Sequence, residues 1–198
     1  MTPEVFLAMA SFAFVMAFTP GPNNVMLTAS AANFGFVPSI PHMLGVTLGF
    51  VVLVAASGAG LGSLLAAMPS AQTVLKVVSV AYMLWLAWKV ANAGAADEGG
   101  GMNTRPLTFF QAAAFQWINP KGVVIALGAI TLFVSPARPI ADLSILLTVF
   151  GVITMLSTIC WSLFGVALAR LLRDRRRARI FNVCMALLLV ASIVPMVL

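Results

Sequence analysis

Two short stretches hold most of the residues in this chain that could do chemistry. One is Pro20-Gly21-Pro22-Asn23-Asn24; the other is Gln116 followed by Asn119-Pro120-Lys121. Proline lacks a backbone donor and clashes with the carbonyl four residues back. Pro20 and Pro22, with Gly21 between them, therefore cannot lie in a continuous helix. The backbone groups freed by such a break need partners, because each one left bare in hydrocarbon costs several kcal/mol. Asn23, Asn24 and Asn119 both donate and accept, so they can satisfy broken backbone or hold a polar ligand. A helix restarting after a break turns its free amides toward an anion such as a carboxylate. Lys121 is the only cation in its segment. Two roles are open to it: a lysine snorkelling to the membrane interface, or a counter-charge for a carboxylate.

The remaining polar residues mainly exclude functions. His42, the only histidine, follows Pro41; a cap or headgroup contact and a proton relay are both open to it. Cys160 and Cys184 sit inside apolar runs without a C-x-x-C spacing, which predicts buried thiols and no disulfide framework. The acids Glu4, Asp97, Glu98, Asp142 and Asp174 all fall at predicted ends or loops. That leaves no carboxylate in mid-membrane and no His/Cys cluster, so neither metal export nor a resident metal is expected. A membrane thiol conduit would need cysteines at the breaks. One histidine and scattered serines offer no hydrolytic pair, so neither an enzyme nor a cofactor is expected.

The elements that must position these residues are membrane spans. The chain has 198 residues, 62% of them hydrophobic and only 8% charged, where a soluble domain carries about 25% charged residues. Lipid must replace water over much of the surface. The N-terminus has no basic residue before its apolar run, so it reads as a retained first span rather than a signal peptide. Six spanning segments are predicted, near Val5–Phe34, Pro41–Met68, Ser70–Val90, Leu107–Pro136, Leu143–Leu172 and Ile180–Val197. The first is interrupted at Thr19–Asn24 and the fourth at Asn119-Pro120. A Gly-rich polar linker, residues 92–106, joins residues 1–91 to residues 107–198. The predicted fold is therefore an all-α integral membrane protein of six transmembrane helices. These form two inverted three-helix repeats, with the first and fourth helices broken.

The net charge of +6 is concentrated in Arg170, Arg173, Arg175, Arg176, Arg177 and Arg179. Apolar segments flank this run on both sides, so it reads as a cytoplasmic loop near anionic lipid rather than a nucleic-acid contact. Lys89 and Arg105 flank the linker on the same face. The positive-inside rule then places both termini in the periplasm. Trp85, Trp88 and Lys89 read as an interface belt. Gly45-x-x-x-Gly49 and Gly58-x-Gly60-x-Gly62 are spaced for close helix packing, within one protomer in preference to a homo-oligomer.

Thr19-Pro20-Gly21-Pro22-Asn23-Asn24, followed by Ala32-Asn33-Phe34-Gly35 and Pro41 through Gly49, resembles the N-terminal signature of the LysE-type amino-acid exporter family, also called RhtB. Phe115-Gln116-Trp117-Ile118-Asn119-Pro120-Lys121 is similar to its mid-chain signature. The resemblance covers essentially the whole chain. It implies export of amino acids or derivatives from a bacterial cytoplasm across the inner membrane, driven by the proton-motive force. Two departures bear on substrate. Val37-Pro38-Ser39 stand after Gly35-Phe36, where family members often carry basic residues. Phe50 follows Gly49, where exporters of basic amino acids typically carry an acid.

The leading expectation is alternating access around a midplane site built from both breaks. Pro20, Gly21, Pro22, Asn23, Asn24, Gln116, Asn119, Pro120 and Lys121 are its candidate residues. With no mid-membrane acid and a lysine as the nearest charge, neutral solutes such as threonine, homoserine or leucine are expected over lysine and arginine. The rival reading is a membrane scaffold or regulatory subunit whose breaks serve only packing. A membrane enzyme is a third, disfavoured by the lack of catalytic groups.

Overall fold

The computed structural model describes residues 1–61, 68–92, 105–169 and 174–191. Among these residues the chain is all-helical. Eight α-helices run in order: α1 (Pro3–Phe18), α2 (Pro22–Phe34), α3 (Ile40–Ala56), α4 (Pro69–Ala91), α5 (Phe109–Ile118), α6 (Pro120–Phe133), α7 (Pro139–Ala169) and α8 (Arg175–Ala191). A 3-10 turn, Val37–Ser39, leads into α3, and a π-turn, Ser57–Leu61, follows it. Proline opens α1, α2, α4, α6 and α7, where its missing N–H costs nothing because the first amides of a helix have no partner anyway. Gly35 ends α2 at φ 89°, a conformation that favours glycine.

Both predicted interruptions are present. α1 and α2 meet at 53° across Thr19–Gly21. α5 and α6 meet at Asn119, which ends one helix and starts the next with extended backbone. The second span differs from expectation. Helix α3 passes into the π-turn after Ala56, and Gly60 at φ 104° takes the chain out of helical geometry there; Gly62 lies outside the described residues. The sixth helix starts earlier than predicted. Asp174 caps it by accepting from the Arg177 amide at 2.9 Å, so Arg175, Arg176, Arg177 and Arg179 belong to α8 rather than to a loop. Arg170, Arg173 and most of the 92–106 linker lie outside the described residues.

By length and composition, Val37–Gly60 and Pro139–Ala169 can each cross a membrane, and the bent α1–α2 pair can serve as a third span. The distribution of polarity agrees with lipid as solvent. Phe6, Leu7, Phe110, Val124, Ile140 and Leu187 are exposed, while Asn24, Thr28, His42, Gln116, Asn119, Ser157 and Asn182 are buried. Cys160 and Cys184 are exposed, contrary to the expectation of buried thiols. Hydrocarbon is as apolar as a protein core, so an apolar neighbourhood in sequence does not separate the two.

The helices pack crosswise between the two parts of the chain. α1 and α2 lie against α7, α5 lies against α3, α3 against α7, and α4 against α8. Small residues permit the closest approaches. A Cβ on Gly49 would fall 2.6 Å from Ala113 Cα, and one on Gly45 would fall 2.8 Å from Ala112 Cβ. The glycine face of α3 is thus filled by α5 of the same chain. Gly165 on α7 meets the backbone of α2 at Thr28 and Ala32 in the same way. Two apolar clusters result. One gathers Met26, Met43, Val46, Met83, Leu86 and Phe115. The other gathers Met9, Phe50, Leu53, Leu146 and Phe150. Val46 of the first and Phe50 and Phe150 of the second meet at one cavity.

Candidate functional site at the helix breaks

The first break releases carbonyls at the end of α1, and three side chains take them up. Asn24 Nδ2 donates to Ala17 O at 2.9 Å and to Thr19 O at 3.0 Å. Ser157 Oγ, from α7, donates to Ala17 O at 2.7 Å. Lys121 Nζ, from the second break, donates to Thr19 O at 2.7 Å. A cation at a helix C-terminus also meets the negative end of the helix dipole. Lys121 therefore bridges the two interruptions. Gly21 makes this reach possible: a Cβ there would fall 2.9 Å from Lys121 Cδ.

A second link joins the breaks. Asn23 Nδ2 donates to Gln116 Oε1 at 2.8 Å, and Gln116 Nε2 donates back to Asn23 Oδ1 at 3.1 Å. Gln116 Nε2 also donates to Ala112 O at 2.8 Å, which anchors the pair to α5. Asn119 is 2% exposed, and its Oδ1 accepts no hydrogen bond from the described residues.

The cavity between the breaks is an open one, with about 540 Å³ of empty space, open solvent included. Of the candidate residues, Gly21, Pro22, Asn23, Asn24, Asn119 and Lys121 line it. Pro20, Gln116 and Pro120 do not. Pro20 is exposed, and Gln116 is fully buried behind Asn23 as its partner. The two prolines make the breaks without facing the space. Thr154, Ser157 and Thr158 of α7 also line the cavity. The sequence carries their signal, three hydroxyls at helical spacing in an apolar segment, but it was not read as part of the site. No carboxylate lines the cavity among the described residues.

The arrangement offers an acceptor at Asn119 Oδ1. It also offers spare donors at Lys121, whose ammonium carries three protons and uses one on Thr19 O. α2 and α6 both begin at this wall, each leaving amides without helical partners. Such a cavity can hold a small zwitterion. The hydroxyl of Ser157 and the amine of Lys121 on its wall are each committed to a backbone carbonyl of the first break and not to each other.

The LysE type translocator model matches residues 14–194. The chain belongs to the LysE type translocator family. Among its relatives are the cysteine/O-acetylserine efflux proteins of Escherichia coli (strain K12), of Escherichia coli O157:H7 and of Shigella sonnei, each 32% identical over 194 residues, or 96% of either chain. No solved structure matches the chain. As a LysE type translocator the protein is a multi-pass membrane transporter and not an enzyme. The family model spans both breaks, so the paired interruptions and the cavity between them lie within the matched region.

Proposed function

We propose that this translocator exports small neutral amino acids and their close derivatives from the cytoplasm by alternating access at the cavity between the breaks. The observation that carries this reading is Lys121 reaching Thr19 O across that cavity, with the Asn119 oxygen unpartnered beside it. The substrate carboxylate meets the spare protons of Lys121 and the free amides at the starts of α2 and α6. Its ammonium is accepted by Asn119 Oδ1. A cationic side chain would face Lys121 with no carboxylate to receive it, which disfavours lysine and arginine. The efflux relatives carry cysteine and O-acetylserine by name. Both solutes fit the neutral zwitterion this chemistry calls for, as do threonine, homoserine and leucine.

Residues 1–91 and 107–198 act as the two inverted repeats in this reading, joined by the 92–106 linker and moving against each other. The crosswise packing of α1–α2 on α7 and of α5 on α3 supports it. The arginine run faces the cytoplasm, both termini face the periplasm, and the proton-motive force drives export. Competition in inverted vesicles tests the substrate class. Unlabelled cysteine, O-acetylserine, threonine, homoserine and leucine are expected to displace a labelled neutral amino acid. If lysine or arginine displaces it better, the charge argument is wrong. Transport that survives collapse of the proton gradient would refute the coupling.

A further inference from the structure

A second cavity lies toward the other end of α2. It is an open cavity with about 490 Å³ of empty space, open solvent included, and Ser30, Asn33, His42, Lys89 and Arg105 supply its polar wall. Met26, Phe34, Leu86 and Leu107 supply apolar surface. His42 is 1% exposed, and neither ring nitrogen has a hydrogen-bond partner among the described residues. It is therefore neither a cap nor an exposed headgroup contact. A buried imidazole without partners is costly unless something supplies them. The two charges on the wall are both positive, and no carboxylate from the described residues opposes them. Lys89 Nζ is held over the Trp85 ring at 5.0 Å. A ligand for this wall carries an anionic group for Lys89 and Arg105 and a hydrogen-bonding group for the imidazole.

This cavity adjoins the site at the breaks. His42 lines the outer cavity and Val46 lines the central one. They lie on successive turns of one face of α3, about 6 Å apart along its axis. Met26, on the wall of the outer cavity, and Val46, on the wall of the central one, belong to one apolar cluster.

We propose that the outer cavity is a loading subsite for the transported solute, a proposal that rests on the function above and deepens it. The carboxylate of a neutral amino acid docks on Lys89 and Arg105, and its ammonium is accepted by the His42 imidazole. The solute then moves one helical turn to the breaks. A phospholipid headgroup shares the anionic chemistry. A phosphodiester alone brings only acceptors, so a headgroup would need a donor of its own, such as an ammonium or hydroxyl, to meet the imidazole as an amino acid does, and the lipid arm of the test below separates the two. Under the topology above, this cavity opens to the cytoplasm, where an exporter must collect its cargo.

Equilibrium binding of labelled, reduced L-cysteine to the full chain in phosphatidylcholine nanodiscs tests this. Wild type is expected to bind two equivalents per chain. His42→Gln and the double variant Lys89→Gln/Arg105→Gln should each bind one, and Asn119→Ala should lose the other. The lysine and arginine changes lie at the rim, so they keep the test decisive if His42→Gln folds poorly. One equivalent in wild type, untouched by the rim variants and removed by Asn119→Ala, would overturn the subsite and leave the proposed function standing. No saturable binding at all would overturn both. A second equivalent that disappears when phosphatidylglycerol is added would assign the cavity to lipid and overturn the proposal.

Discussion

Asn23 and Gln116 lie 93 residues apart in sequence and exchange two hydrogen bonds, at 2.8 and 3.1 Å. Each side chain is both donor and acceptor to the other: removing Asn23 leaves buried Gln116 Oε1 without its donor while Nε2 keeps Ala112 O, and removing Gln116 leaves both polar atoms of half-buried Asn23 without that partner. The pair ties the start of α2 to the end of α5. It holds Asn23 against the cavity from behind.

The pair should therefore behave as a unit. Asn23→Ala and Gln116→Ala are each expected to cost about 1–3 kcal/mol, with the double variant costing clearly less than the sum. Thermal unfolding of the four proteins in detergent gives the coupling. Strict additivity would show the two bonds to be of no consequence.

Gly21→Ala separates positioning from folding. Its new methyl meets the flexible end of Lys121 rather than backbone, so stability should change by less than about 1 kcal/mol. The amine must move off Thr19 O, and transport should fall as it does in Lys121→Met. Efflux per molecule of folded protein is the measurement. Wild-type efflux in Gly21→Ala would mean that the position of Lys121 does not matter.

Asn119→Ala removes the unpartnered oxygen without opening a hydrogen bond. It should lower efflux more than expression, whereas a purely structural role predicts parallel losses. A quantitative blot beside the transport assay distinguishes them.

The α3–α5 contact predicts the opposite outcome for Gly49→Ala. Its Cβ collides with Ala113 backbone, so about 1–3 kcal/mol of stability should be lost. Size-exclusion profiles should keep the wild-type oligomeric state, because this face is filled from within the chain. A shift in assembly at unchanged stability would contradict that.

The breaks were legible in the sequence because proline at Pro20, Pro22 and Pro120 leaves the backbone no helical alternative. Their meeting in space was an expectation drawn from the matching halves, and the Lys121–Thr19 and Asn23–Gln116 bonds realise it. What each side chain faces was not legible. Gln116 and Asn119 stand three residues apart with similar chemistry, yet one points at Asn23 and the other lines the cavity. Helix rotation decides this, and composition does not encode it. Following Pro41 at a span's start, His42 is open in the sequence to both an interfacial and an interior role, and only its burial in the packed helices decides for the interior. The end of α3 was missed because Gly60 reads as a packing glycine until its φ is known.

The bonds between the breaks also set an order of assembly. The amide of Asn23 and the carbonyl of Thr19 are made long before Gln116 and Lys121 leave the ribosome. At about 5–20 residues per second, that interval is about 5–20 s. Through it the first helices sit in the bilayer with a break whose partners do not yet exist. The nascent chain must borrow partners from water, lipid headgroups or the insertion machinery, and it exchanges them for its own second half when that arrives.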